Sequence, residues 1–197
     1  MEQYKKLTDD VLVARYTEGD NKAFDELLAR YQSKLLNYIY FIVRNQEVAE
    51  DLFQETFVKA IVTIQQGRYT ASGKFGAWLT RIAHNMIIDG FRQDRNENTI
   101  SNDEFEIDLL NDADLCDDNI EMQMVNEQTL SDVRRLMDAL PDNQREVVYM
   151  RFYQDLSFKE IAEITGVSIN TALGRMRYAL MGMRRLAEEK HIVLEVY

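Results

Sequence analysis

The stretch GVSINTALGRMRYAL, Gly166 to Leu180, has the composition of a helix that can meet a polyanion. From Gly166 to Ala187 the chain carries Arg175, Arg177, Arg184 and Arg185 and no acid, a local charge of +4. Guanidinium groups form two-pronged hydrogen bonds to phosphates and base edges, so such a helix suits a DNA groove. Upstream, Ser157-Phe-Lys-Glu160 fits a capping box, in which Ser caps a helix and Glu reaches back to its first N–H. Gly166 tolerates a left-handed turn, and Ser168 can cap the helix that follows. Helix, glycine turn and cationic helix read together as a DNA-binding helix-turn-helix; the alternative is any tight helix pair. Projected at about 100° per residue, Ile169, Leu173, Met176, Leu180 and Met183 form one buried stripe. Thr171, Gly174, Tyr178 and Arg185 lie opposite, with Asn170 and Arg177 alongside. Gly174 leaves the outer face thin, which lets backbone approach backbone. Leu173→Lys is therefore expected to cost about 1–3 kcal/mol if the site is buried, since Lys must snorkel out of an apolar seam, and to be harmless and tighten binding if Leu173 sits at the DNA-facing edge of that seam.

Two further sets of residues carry chemistry. In GKFGAWLTRIAHNMIIDGFRQDR (Gly73–Arg95), Phe75, Trp78, Leu79, Ile82, Ala83 and Met86 make an apolar stripe. Arg81, Asn85, Asp89 and Arg92 make a second, polar stripe beside a loop with Tyr69, Lys74 and Phe75. Aromatic rings with Arg, Lys and Asn can grip unstacked bases as well as phosphate. Glu47, Asp51 and Glu55 recur every four residues, and each like-charged pair costs a helix about 0.2–0.5 kcal/mol. Lys59 relieves the last member alone. The row is either a solvated face or a docking face for a basic partner. A third reading, with Asp51 and Glu55 as general acid and base of a hydrolase, lacks a His or metal-ligand partner on the same helix. His84 is expected at the edge of its helix rather than in a metal site, and His191 is far along the chain. No zinc spacing, P-loop or nucleophile motif is present, and no cofactor is expected.

The elements that must position these residues follow from composition. One Pro and eight Gly in 197 residues leave long helices nearly unbroken, so an all-α fold is expected. The net charge of -11 is uneven. Asn96 to Asp132 holds twelve acids and no Lys or Arg, and the remainder of the chain carries +1. Arg68 to Arg95 carries +3. The expected organisation is a helical domain over 1–95, an acidic linker over 96–118 and a second helical domain over 119–197. In the first domain four helices are expected, one capped by Thr8, one by Asp20, one over about 46–66 and one over about 75–95. Pro141 marks a helix start in the second. A single cysteine, Cys116, fits a reducing compartment. The N-terminus lacks an apolar signal core and no 18-residue uncharged run exists, so a cytoplasmic chain without membrane insertion is expected.

AEDLFQETFVKA (Ala49–Ala60) with FGAWLTRIAHNMIIDGFR resembles region 2 of the extracytoplasmic-function sigma factors of bacterial RNA polymerase. LPDNQREVVYMRFYQDLSFKEIAEITGVSINTALGRMRYAL (Leu140–Leu180) resembles their region 4. The resemblance implies that Asp51, Gln54, Glu55 and Lys59 dock on the clamp helices of core RNA polymerase. It implies that Tyr69, Lys74, Phe75, Trp78, Arg81, Asn85, Asp89 and Arg92 hold open the −10 promoter element. In region 4 it assigns Lys159, Ser168, Asn170, Thr171, Gly174, Arg175, Arg177 and Tyr178 to the −35 element, with the polymerase flap on the outer surface. The acidic linker would thread the polymerase cleft, and an anti-sigma protein is a further partner class the resemblance admits. The family usually carries a base where this chain has Leu173, and region 3 of primary sigma factors has no counterpart. A stand-alone helix-turn-helix regulator is the rival reading, and it leaves AEDLFQETF unexplained.

A charge of -12 tethered within a few Debye lengths of two basic patches should weaken DNA binding by the free chain. At low salt, the intact chain is expected to bind promoter DNA more weakly than its isolated C-terminal domain. Equal affinities would contradict this.

Overall fold

Amphipathic helices buried against one another make up the computed structural model, which describes residues 2–97 and 131–192. In the first half these are α1 (Glu2–Lys5), α2 (Asp9–Thr17), α3 (Asn21–Val43), α4 (Gln46–Gln65) and α5 (Phe75–Glu97). In the second half come α6 (131–138), α7 (Asp142–Phe152), α8 (Phe158–Thr165) and α9 (Ile169–Glu189). The all-α expectation holds for the described residues. The acidic linker expected at 96–118 and the domain start expected at 119 lie almost wholly in 98–130, outside the described residues.

The helix starts follow local chemistry. Asp20 accepts a hydrogen bond from the Lys22 N–H at 3.2 Å, and Asn45 accepts one from Val48 at 3.2 Å, so α3 and α4 begin at capped positions. Thr8 has the extended backbone of a cap, yet its side chain makes no cap bond. Asp9 and Asp10 instead place two carboxylates at the positive end of α2. α1 precedes the four expected helices, and its four residues are too few to show periodicity. Arg30 ties it down by donating to the carbonyls of Tyr4 and Lys5 at 3.0 Å while pairing with Asp9 at 2.8 Å.

α3 is the central helix of the first half and packs on α2, α4 and α5. Its Leu27, Leu35 and Ile39 belong to one buried core with Leu12, Ile64, Leu79 and Ile87, all almost free of solvent. Each such side chain stabilises the fold by about 1.5–3 kcal/mol relative to exposure. In the second half α7, α8 and α9 pack mutually around Val147, Met150, Ile161 and Met176. The capping box is present: Ser157 Oγ accepts from the Glu160 N–H at 3.3 Å, and the Ser157 N–H donates to Glu160 at 2.8 Å. Gly166 follows in the left-handed region at φ 66°, as the turn requires.

α5 approaches α3 closely at Gly76, where an added Cβ would lie 2.7 Å from the Tyr31 ring. That ring is held by a hydrogen bond from its hydroxyl to Asp9. Gly76→Ala should therefore overpack the contact and cost about 1–3 kcal/mol in denaturant melts. A variant melting like the parent would show that the contact relaxes freely.

Candidate nucleic-acid interface

The loop before α5 is held from below by one carboxylate. Asp10 accepts from the Tyr69 hydroxyl and from the Gly73 N–H, both at 2.8 Å. Tyr69 packs edge-on against Trp78 at 4.8 Å between centroids, and Phe75 lies 5.4 Å from Trp78. Burial and then the Asp10 bond push the Tyr69 phenol well above its ordinary pKa, so it remains a neutral donor. Phe75 is 1% exposed: its ring supports the loop from inside and offers no face to a base in this conformation. Tyr69 and Trp78 are half-buried, while Lys74, Arg81, Asn85, Asp89 and Arg92 are exposed. The polar stripe therefore runs along one exposed side of α5, with Arg92 and Asp89 paired at 3.4 Å, while Arg81 lies 3.0 Å from Glu163 and Lys74 3.1 Å from Glu160 of α8.

His84 departs from expectation. It is buried, and its Nδ1 lies 2.8 Å from Glu146 on α7. An ionised carboxylate can only accept, so Nδ1 carries the proton. Periodicity within α5 could not foresee this, because the partner comes from the other half of the chain.

On α4, Glu47, Asp51, Gln54, Glu55 and Lys59 are all exposed. Among the described residues, none of the three acids of the row has an ion-pair partner. Val48, Val58 and Val62 are also exposed on this helix, at 43%, 59% and 42%. Gln54, Glu55, Val58 and Val62 line a shallow groove with Met86 of α5. Apolar residues at helical spacing resemble a core face, so the sequence alone does not mark these valines as exposed.

In the second half, Ser168 caps α9 by accepting from the Thr171 N–H at 3.0 Å. Lys159, Asn170, Thr171, Arg177 and Tyr178 are exposed, and Arg175 and Gly174 are half-buried. An added Cβ at Gly174 would meet nothing within 4 Å, so no close approach inside this chain requires the glycine. The helix pair thus presents an open polar face made by the start of α9.

Comparison with known proteins agrees with this geometry. Residues 27–97 match the family model for Sigma-70 region 2, and residues 130–177 match that for Sigma-70 region 4. The ECF RNA polymerase sigma-E factor of Salmonella typhimurium is 32% identical over 179 residues, covering 87% of this chain and 90% of that protein. The chain belongs to the extracytoplasmic-function sigma factors. BldN, an ECF sigma factor of Streptomyces coelicolor, is 35% identical over 79% of the chain, a match that spans 56% of BldN. The fold is also that of the sigma factor RpoE solved with the anti-sigma factor NepR from Bartonella quintana. The TM-score is 0.62 at 22% identity, over 85% of this chain and 98% of that one. Among the described residues of this sigma factor, no helix is long and apolar enough to cross a membrane.

The region 4 helix α9 corrects one expectation. Ile169, Leu173 and Leu180 are not buried: they are 46%, 44% and 38% exposed. The buried stripe consists of Ala172, Met176 and Ala179, turned by about 50° from the projected one at 100° per residue. The reason is packing distance. Small residues let α9 lie close against α7 and α8, and that gain outweighs hiding the larger side chains. Leu173 therefore stands on the exposed side of α9. Leu173→Lys should melt within about 0.5 kcal/mol of the parent sigma factor, as surface substitutions do. A loss above 1 kcal/mol would restore the buried placement.

Proposed function

We propose that this sigma factor directs core RNA polymerase to promoters through three separate faces. The α4 row of Glu47, Asp51 and Glu55, with Gln54 and Lys59 beside it, docks on the clamp helices of the polymerase. Val58 and Val62 add apolar contact to that charged surface. The loop and α5, through Tyr69, Lys74, Trp78, Arg81, Asn85 and Arg92, hold the opened −10 element, with Phe75 and Asp89 supporting them. The helix-turn-helix reads the −35 element through Asn170, Thr171, Arg175 and Arg177, while Lys159, Ser168 and Tyr178 contact the backbone and Gly174 permits close approach. The polymerase flap meets the outer surface of region 4. An anti-sigma protein is a partner of the same kind as the one solved with RpoE. The chain acts by recognition and leaves the chemistry of transcription to the polymerase.

The observation that carries the reading is the unpaired acidic row. Three carboxylates at i, i+4 spacing destabilise the isolated helix, and among the described residues none of them makes an ion pair, with Lys59 one turn beyond the last as their nearest relief along the helix. A basic surface on a partner converts that cost into affinity and orientation. Asp51→Arg combined with Glu55→Arg is expected to abolish capture by immobilised core polymerase while leaving the melting temperature unchanged. Undiminished capture would remove α4 from the docking surface.

A further inference from the structure

α9 leaves large apolar side chains outside the fold. Ile169, Leu173, Leu180 and Met181 are exposed, while Ala172, Met176 and Ala179 of the same helix are buried. Single exposed leucines are ordinary on protein surfaces, so exposure alone decides nothing. What singles out Leu173 is its neighbours. At about 100° per residue, Asn170, Leu173 and Arg177 fall within an arc of about 60°. All three are exposed, and they make one ridge on the first half of the helix. The ridge rises about 4.5 Å from Asn170 to Leu173 and about 6 Å more to Arg177, against about 3.4 Å per base step. Among the described residues, neither the Asn170 amide nor the Arg177 guanidinium has a hydrogen-bond or ion-pair partner. A Cβ added at Gly174, beside Leu173, would meet nothing within 4 Å, so the backbone there is open to close approach by another molecule.

The charge of the helix names the partner of this ridge. Gly166 to Ala187 carries four arginines and no acid, which suits a polyanion. Phosphate oxygens and polar base edges offer a leucine nothing, and they lose water against it. In the major groove one base-edge group is apolar, the C5-methyl of thymine. We propose that Leu173 is a specificity-determining residue for the −35 element, packing on a thymine methyl between the bases that Asn170 and Arg177 contact. This rests on the sigma-factor reading and on region 4 entering the groove by this side of α9. Asn pairs with adenine and Arg with guanine, each through two hydrogen bonds, so the ridge presents an apolar position between two polar ones. Ile169 lies about 40° from Leu173 on the core side and extends the apolar surface that the methyl meets. Arginine in place of Leu173 would select guanine at that position instead, so this one residue sets part of the promoter choice.

The test uses the full-length protein with core polymerase on a duplex template library. A promoter found by sequencing its run-off transcripts has its −35 element randomised, and the templates that are transcribed are sequenced. With the parent, active templates should share a thymine at one position. Leu173→Ala should lower that preference about threefold or more and keep the preferences at the other positions, while Leu173→Arg should replace the thymine by guanine. Deoxyuridine in place of the thymine then removes the methyl alone. It should weaken promoter binding by the parent holoenzyme about fourfold, the worth of one buried methyl, and leave the Leu173→Ala holoenzyme unchanged. Preference is a ratio between templates in one reaction, so a general loss of folding or initiation does not mimic these results. Parental preferences at every position with Leu173→Ala, or an equal response of both proteins to deoxyuridine, would overturn the proposal. A Leu173→Ala protein that loses capture by core polymerase would also overturn it, since Leu173 would then face the polymerase. If the parent supports no transcription with core polymerase, the sigma-factor reading itself falls.

Discussion

The Glu146 carboxylate is the constraint on which the arrangement of the two halves depends. It comes from α7, is mostly withdrawn from solvent, and accepts from Tyr38 on α3 at 2.9 Å and from His84 on α5 at 2.8 Å. A carboxylate removed from water without donors costs several kcal/mol. Region 2 supplies both donors, so Glu146 is satisfied where α3, α5 and α7 converge. The burial that accompanies this contact, and then the nearby charge of Glu146, raises the Tyr38 phenol well above its ordinary pKa and keeps it a donor. Beside it, Phe41 stacks on Tyr149 and the Arg145 guanidinium lies over the Phe41 ring, while Tyr38 also packs on Tyr149.

The same division of labour runs through the working faces. Helices use one side to bury Leu, Ile and Ala and leave the other side for charges that have partners elsewhere. α9 shows the rule most sharply, because Ala172 and Ala179 form the contact and Leu173, Tyr178 and Met181 are left outside. α8 serves two purposes with one residue. Burial alone would raise the Glu160 carboxyl, but the Ser157 hydroxyl and N–H and the Lys74 ammonium hold it below the usual carboxylate range. Glu160 thus starts its own helix and binds region 2 at once.

Much of this was legible in the sequence. Asp20, the Ser157–Glu160 box, Gly166 and Ser168 are local signals, and their geometry depends on residues within one turn. The exposed polar stripe of α5 and the acidic row of α4 followed from periodicity. What could not be read depended on distant partners. His84 looked like an edge residue because Glu146 lies 62 positions away. The phase of α9 departs from its periodic stripe because residue size, rather than hydrophobicity alone, decides how closely two helices pack. In the sequence Phe75 fits both a core stripe and a base contact, and it lies in the core. The candidate site residues stand on three surfaces rather than in one cleft, which is the arrangement a protein bridging polymerase and DNA needs.

The most direct measurement of the central claim is transcription itself. Core RNA polymerase and this protein would be incubated with a fragmented genomic library, and the starts of the run-off transcripts sequenced. The account predicts starts that require the protein and share two upstream elements about 25 base pairs apart, a spacing of about two and a half helical turns. Transcripts that are independent of the protein, or starts that share no paired elements, would contradict it.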